Sequence, residues 1–433
     1  IIIGHTVMGK GALRADGTSY EHDCGTHGAP LGDGAYINTV KNLGGDPENP
    51  FVIFPEVQAI YDRRREELKA IMAEKYATKA AWATKHPELA KKLEQFFSGK
   101  VPEIDWNSIK QKAGGPTRAG SSAVLSVLAE NVENMICASA DLCNSDKTDG
   151  FLKKTHAFKH HDFSGAFLQA GVAELTMACC CIGMALHGGV IASCGTFFVF
   201  SDYMKPAMRM AALMELPVKF IWSHDAFRVG EDGPTHQPVE QEAQIRLLEK
   251  MRNHSGLNSM LVLRPADVEE ATQAWKLAME NTATPTGLIF SRQNVENLPD
   301  GNDYTQAARG AYIVAGSDDN PDITLVASGS EVSTLVAGAA LLRRDGIKVR
   351  IVSAPSEGLF RNQSKEYQES IIPADGKVFG LTAGLSFAMQ SLVGLNGKVW
   401  GIDYFGYSAP YKVLDEKFGF TAQNVYDQVK KML

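Results

Sequence analysis

The sequence predicts an α/β protein built on mainly parallel sheets. Three observations carry that expectation. Helical and strand-like segments alternate from 116 to about 300, a second alternating unit begins near 310, and a glycine- and proline-rich loop at 230–238 leaves the end of a strand-like run. With 433 residues, two or three domains are expected, and a hydrophobic content of 44% is enough for buried cores.

The elements follow in order. Residues 1–3 are β-branched and read as a strand cut at its start, running into a loop-rich stretch with Gly25–Leu31 at its centre. From about 54 to 112 the composition turns charged and helical. Amphipathic runs from Tyr61 and from Leu89 suggest a helical connector, with Arg63, Arg64 and Arg65 on a solvated face. Helix 119–128 precedes strand 134–140, helix 170–187 precedes strand 190–194, and helix 204–214 precedes strand 218–223. Further strand-like runs lie at 260–263, 288–290, 323–327, 348–352, 377–381 and 398–402, and Gly301–Tyr304 reads as a linker.

The formal net charge of −7 gives no electrostatic footprint for nucleic acid, and no run of 18 apolar residues suggests a membrane span. Seven cysteines without paired spacing read as reduced core thiols in a cytoplasmic protein; Cys179, Cys180 and Cys181 are consecutive and cannot jointly hold a metal on a helix. His156, His160 and His161 lack a third ligand and read as solvated loop residues.

The loop Gly230-Glu-Asp-Gly-Pro-Thr-His-Gln-Pro238 carries an acid and an imidazole that a turn does not need. At the carboxyl end of a strand it suits ligand binding or catalysis. Glu174 is the one carboxylate in an apolar stretch, 170–187. Buried without a partner it would hold a proton and could share it with a ring nitrogen of a heterocycle; alternatively it is an exposed acid near a helix start, favoured by the dipole. Phe197, Phe200 and Tyr203 recur every three residues after a Gly195-Thr196 turn. On one helical turn they would form an aromatic wall, either core packing or a slot for a flat cofactor. His27, His224 and His236 sit at turns or strand ends, and Arg118, Ser145 and Arg292 near element ends, where such groups could grip a phosphate.

Together, Gly230–Pro238, Gly195-Thr-Phe-x-x-Phe-Ser-Asp-Tyr203, Ser139-Ala-Asp-Leu142, His224-Asp225, Ser291-Arg-Gln-Asn294, Thr26–Leu31 and Phe405–Pro410 resemble transketolase, in order and over nearly the whole chain. The resemblance implies a thiamine-diphosphate-binding fold with parallel sheets flanked by helices and a C-terminal α/β domain. Its implied boundaries are 1–50 for the end of a diphosphate-binding domain, 51–112 for the connector, 113–300 for a pyrimidine-binding domain and 301–433 for the C-terminal domain.

The implied activity is transfer of a two-carbon ketol unit between sugar phosphates, with thiamine diphosphate and a divalent ion such as magnesium, in a homodimer whose active sites lie between subunits. Glu174 then falls on the acid that meets the aminopyrimidine, Phe197, Phe200 and Tyr203 on its slot, and Asp141 near the cofactor. Arg118, Ser145, His224 and Arg292 fall on phosphate-gripping positions, and Asp232 on a sugar hydroxyl. His27 and His236 fall on substrate oxygens and proton transfer. The family's metal motif is a Gly-Asp-Gly followed by an Asn. Gly32-Asp33-Gly34 lies on the wrong side of the His27 segment for it and reads as a turn, so the metal ligands, and most of the diphosphate-binding domain, are expected outside this chain. The alternatives are a non-catalytic assembly or regulatory subunit, or another thiamine enzyme such as a deoxyxylulose-phosphate synthase.

Overall fold

Strand residues that alternate between two buried faces set the central architecture. The structure, a computed structural model, describes residues 2–316 and 320–433. It divides into two units, one ending at Ala90 and one spanning Lys91–Leu433.

The first unit is loop-rich. Its opening residues Ile2 and Ile3 are exposed and form no strand, which corrects the expected N-terminal strand; Ile1 lies outside the described residues. Arg14 pairs with Asp23 and lies over the Tyr20 ring, tying together a short turn bridged between Leu13 and Ser19. Gly32 caps helix Asp33–Asn42, so the segment read as a turn opens a helix. Helix Pro55–Lys85 runs for 31 residues, begins at a proline that suits the first helical position, and has no buried residue. Arg63, Arg64 and Arg65 lie exposed along it, paired with Glu67 and Asp62.

In the second unit, β1 (Met135–Ser139), β2 (Phe167–Gln169), β3 (Ile191–Phe197), β4 (Lys219–Ser223), β5 (Leu261–Leu263) and β6 (Thr286–Ile289) form one parallel sheet. Its order is β2-β1-β3-β4-β6-β5. Ala138, Cys194, Phe220 and Trp222 pack with residues of helices Glu174–His187 and Ser201–Leu213 on one face. Cys137, Ile221 and Leu288 pack with residues of helices Thr117–Asn131 and Val268–Glu280 on the other. Burial on both faces is what an all-parallel sheet requires. The chain leaves β1 toward β2 on one side and returns to β3 on the other. The carboxyl ends of β1 and β3 therefore flank a switch point, where ligands bind in such sheets.

A second sheet holds β7 (Tyr312–Ala315), β8 (Ile323–Ala327), β9 (Val349–Ser353), β10 (Val378–Leu381) and β11 (Lys398–Trp400) in the order β11-β10-β8-β9-β7. β7 alone runs antiparallel, paired with β9. Helix Glu331–Arg344 and the two C-terminal helices, Tyr411–Phe418 and Ala422–Lys430, contribute to its core.

Three expectations change. The turn at Gly195-Thr196 is strand, because β3 runs on to Phe197. A Cβ at Gly195 would lie 2.6 Å from Thr148 Cγ2 and 3.0 Å from Asp146 Oδ2, so the glycine is there for close packing. The helix expected over 170–187 begins at Glu174, after Gly171 at φ +70°. The thiols are not all in the core: Cys24, Cys179 and Cys180 are exposed, Cys143 is half-buried, and Cys137, Cys181 and Cys194 are buried.

Trp275 is fully buried, and its indole N–H donates to Ser121 Oγ at 2.9 Å, joining the two helices of one sheet face. Trp275→Ala is expected to destabilise the protein by about 3–5 kcal/mol in urea unfolding, from the lost transfer energy and the residual cavity.

Candidate active site

Every strand of the six-stranded sheet points the same way, so the segments leaving β1, β2, β3, β4 and β6 emerge on one edge. That edge collects most of the candidate residues. Asp141 follows β1, exposed and with a left-handed φ of +62°. Glu174 follows β2, Phe197 ends β3, His224 follows β4, and Arg292 follows β6. Arg118 lies in the first turn of helix Thr117–Asn131, whose start is fixed to the end of β6. There Thr117 N–H donates to Ser291 Oγ at 3.0 Å, and Ser291 N–H donates to Thr117 Oγ1 at 2.7 Å.

Arg118 Nη1 donates to Ser145 O at 2.7 Å and lies 3.3 Å from His224 Nε2. Guanidinium nitrogen only donates, so Nε2 is the acceptor and the ring proton sits on Nδ1, 2.8 Å from Ser223 Oγ. Burial, with the positive fields of Arg118, Arg292 and His236, drives the His224 pKa from 6.5 down to about 2. The imidazole is therefore neutral. Burial lowers the Arg118 pKa as well, and Arg292 adds to the effect. Neither guanidinium forms an ion pair with a carboxylate among the described residues. Arg118 lies beside the neutral imidazole and the Ser145 turn, and the charge of Arg292 acts on both Arg118 and His224.

The aromatic wall is real in outline but spans three elements, not one helical turn. Phe197 ends a strand, Phe200 lies in the short turn Phe198–Phe200, and Tyr203 lies in the following helix. Phe197 and Phe200 stack at 5.9 Å with an interplanar angle of 8°, and Phe200 and Tyr203 at 6.0 Å. His224 stacks on Phe197 at 3.6 Å, and His236 meets Phe200 edge-on at 5.4 Å. The wall thus carries both imidazoles.

Glu174 combines the two readings the sequence left open. It is the first residue of its helix, and it is only 8% exposed. Its carboxyl has no hydrogen-bond partner among the described residues, while the helix N-terminus favours an acid there. Asp232 is exposed at the end of the short helical turn Phe227–Asp232. His27 lies in the other unit, at the end of the turn Cys24–Thr26. Among the described residues no group of three or more His, Cys, Asp or Glu gathers as a metal site. His156 instead meets Ser164 Oγ at 3.0 Å, and the His160 and His161 rings touch each other. No helix among the described residues is long and apolar enough to cross a membrane.

Sequence reasoning missed four supporting residues. Ser223 and Thr235 each place a hydroxyl on the Nδ1 of the histidine that follows, at 2.8 and 2.9 Å. The repeated hydroxyl-histidine dipeptide was a readable signal. Asp146 is buried under the switch point, accepting from Ser139 Oγ at 2.7 Å and from Thr148 N–H at 2.8 Å, and burial raises its pKa. Gln237 donates to Gly230 O at 3.0 Å and Tyr407 O at 2.9 Å, closing the 230–238 loop.

Comparison with known proteins places this geometry. Family models match as "Transketolase, thiamine diphosphate binding domain" over 1–102, "Transketolase, pyrimidine binding domain" over 115–297 and "Transketolase-like TK C-terminal domain" over 310–421. The chain belongs to the transketolase family. Transketolases of Halalkalibacterium halodurans and Bacillus subtilis are each 39% identical to it over 439 residues, covering 99% of this chain and 63% of theirs. Transketolase from Pichia stipitis, solved in complex with sedoheptulose-7-phosphate, superposes with a TM-score of 0.86 at 33% identity, covering 99% of this chain and 61% of that one. Transketolase from Leishmania mexicana gives 0.84 at 31% identity, covering 93% and 58%. A split gene transketolase described as an inactive β4 tetramer shares the fold, with a TM-score of 0.57 at 24% identity, and covers 74% of this chain and 99% of its own.

The chain spans a little under two thirds of the length of the relatives it matches. The diphosphate-binding match runs over 1–102, including much of the stretch expected to be a connector. That domain is therefore represented here, and the match does not support the expectation that most of it is missing.

The neutral His224 ring has a consequence for acid stability. The unfolded chain's imidazole takes up a proton near pH 6.5 while the native ring does not, so native stability falls as pH drops below about 6.5. His224→Gln is expected to remove that component, on the order of 2 kcal/mol between pH 7 and 5. Urea unfolding of both forms at the two pH values measures it.

Proposed function

We propose that this chain contributes the substrate and pyrimidine-binding side of a transketolase active site, which moves a two-carbon ketol unit from a ketose phosphate to an aldose phosphate. The observation that carries the reading is Arg118, with no carboxylate ion pair among the described residues, held 3.3 Å from neutral His224 at the strand ends that Arg292 also follows. This occurs on the same sheet edge as a partnerless buried acid and an aromatic wall.

The residues present fit the aminopyrimidine end of thiamine diphosphate. Phe197, Phe200 and Tyr203 offer flat faces for a heteroaromatic ring, and Glu174 offers a carboxyl with no hydrogen-bond partner among the described residues. When bound, the cofactor supplies an electron sink for cleavage of the ketose C–C bond. Glu174 meets the aminopyrimidine and orients it, with Asp141 near the cofactor. Arg118, Arg292, Ser145 and His224 grip the sugar's phosphate, and Asp232 reads a hydroxyl. His236, whose Nδ1 is engaged by Thr235, presents Nε2 for binding substrate oxygens and moving a proton during cleavage, and the same role is assigned to His27. Magnesium belongs with the cofactor's diphosphate, and no step assigned to these residues passes through it. The same reading places the protein in the cytoplasm, as a homodimer with shared active sites.

A ketol-transfer assay on a polypeptide containing this chain, with thiamine diphosphate, magnesium, a ketose phosphate and an aldose phosphate, tests the reading. Arg292→Ala is expected to raise KM for the sugar phosphate by about 10- to 100-fold with kcat nearly kept, the size of one charged hydrogen bond. Glu174→Ala is expected to lower kcat by about 100-fold or more, as loss of a general acid does. Sugar phosphate binding without ketol transfer in the unaltered protein would favour a non-catalytic assembly role.

A further inference from the structure

The segment that carries His224, Asp232 and His236 is tied down by residues far along the chain. It begins with strain: His224 has φ +61°, a left-handed conformation that a non-glycine residue keeps only when its surroundings impose it. The next residue, Asp225, accepts from Arg264 Nη2 at 2.7 Å. Arg264 is only 1% exposed. Its other terminal nitrogen donates to Ser328 O at 2.8 Å and to Glu331, at the start of helix Glu331–Arg344. Three residues past Asp225, Arg228 donates to the other oxygen of Glu331 at 3.2 Å, to Ser330 Oγ at 3.1 Å and to Asp415 at 2.7 Å.

The ring is closed. Asp225, Arg264, Glu331 and Arg228 link both ends of the 225–228 turn to one carboxylate. Among the described residues, Glu331 is the only acid paired with both arginines. Packing adds to the charges. Between those ends, Phe227 lies against Phe418 at 5.0 Å and Phe420 at 4.9 Å. Farther along, Ser408 Oγ donates to Glu231 O at 2.5 Å, and Gln237 reaches Tyr407 O. Among the described residues, none of these partners is hydrogen-bonded to Arg118 or His224. They fix the backbone from which its imidazole projects.

We propose that Glu331 is a positioning residue, through which the C-terminal sheet region holds segment 224–238 in the shape that lets His224 and His236 face the anion site. The ligand assignment rests on the reading under Proposed function; the positioning itself does not. Single removal of charge from such a ring leaves two buried arginines short of one anion, so the turn loosens before the sheets do.

The test compares the unaltered full chain with Glu331→Gln and Asp415→Asn. It uses hydrogen–deuterium exchange and titration with inorganic phosphate. Glu331→Gln is expected to raise exchange about tenfold in 224–238 with β1 and β3 unchanged, and to weaken phosphate binding about three- to thirtyfold. Asp415→Asn is expected to move both in the same direction by less, because Arg228 keeps Glu331; it carries the test if Glu331→Gln does not fold. Exchange that stays at the unaltered level, or rises equally across both sheets, overturns the positioning role. Failure of the unaltered chain to bind phosphate would sink the ligand reading instead, and the exchange measurement alone would then decide the positioning.

Discussion

A buried, neutral imidazole held beside the Arg118 guanidinium and under the charge of Arg292 is the constraint on which the rest of this site depends. Burial, with the charges of Arg118 and Arg292, depresses the protonation of His224, and burial with Arg292 lowers the Arg118 pKa. A fold keeps such an arrangement only where something else holds it in place. Here the parallel sheet supplies it. Arg118 is fixed through the Thr117–Ser291 hydrogen bonds, His224 through Ser223 and its stack on Phe197, and Arg292 by following β6 directly.

The same sheet edge carries the Arg118–His224 pair and Glu174. The wall formed by Phe197, Phe200 and Tyr203 begins at the end of β3, next to the switch point between β1 and β3. His224 is stacked at the Phe197 end of this wall, and His236 meets its middle edge-on. On the proposed function, the arginines recognise charge while Glu174 and His236 handle protons.

Much of this was legible in the residues, for reasons that are local. Gly230, Gly233, Pro234 and Pro238 announce an irregular loop, and Gly230 and Gly233 do take positive φ. Apolar runs announced most of the strands, but not β2, which is only three residues long, nor the antiparallel edge strand β7. Gly195 read as a turn because a glycine inside a strand is uncommon; the reason for it, Thr148 and Asp146 pressing on that spot, is tertiary. Residues 170–173 read as helix by composition, yet Gly171 turns the chain and puts Glu174 at the helix start. The ring of Asp225, Arg264, Glu331 and Arg228 joins charges 39 to 103 residues apart in sequence, and no spacing rule reveals it.

The most direct measurement of the central claim is a crystal structure of the protein soaked with a ketose phosphate. The account predicts phosphorus density between the Arg118 and Arg292 guanidiniums, within hydrogen-bonding reach of the Ser145 turn and of His224. Density elsewhere, or a structure in which Arg118 and Arg292 are each paired with carboxylates of the protein, would contradict it.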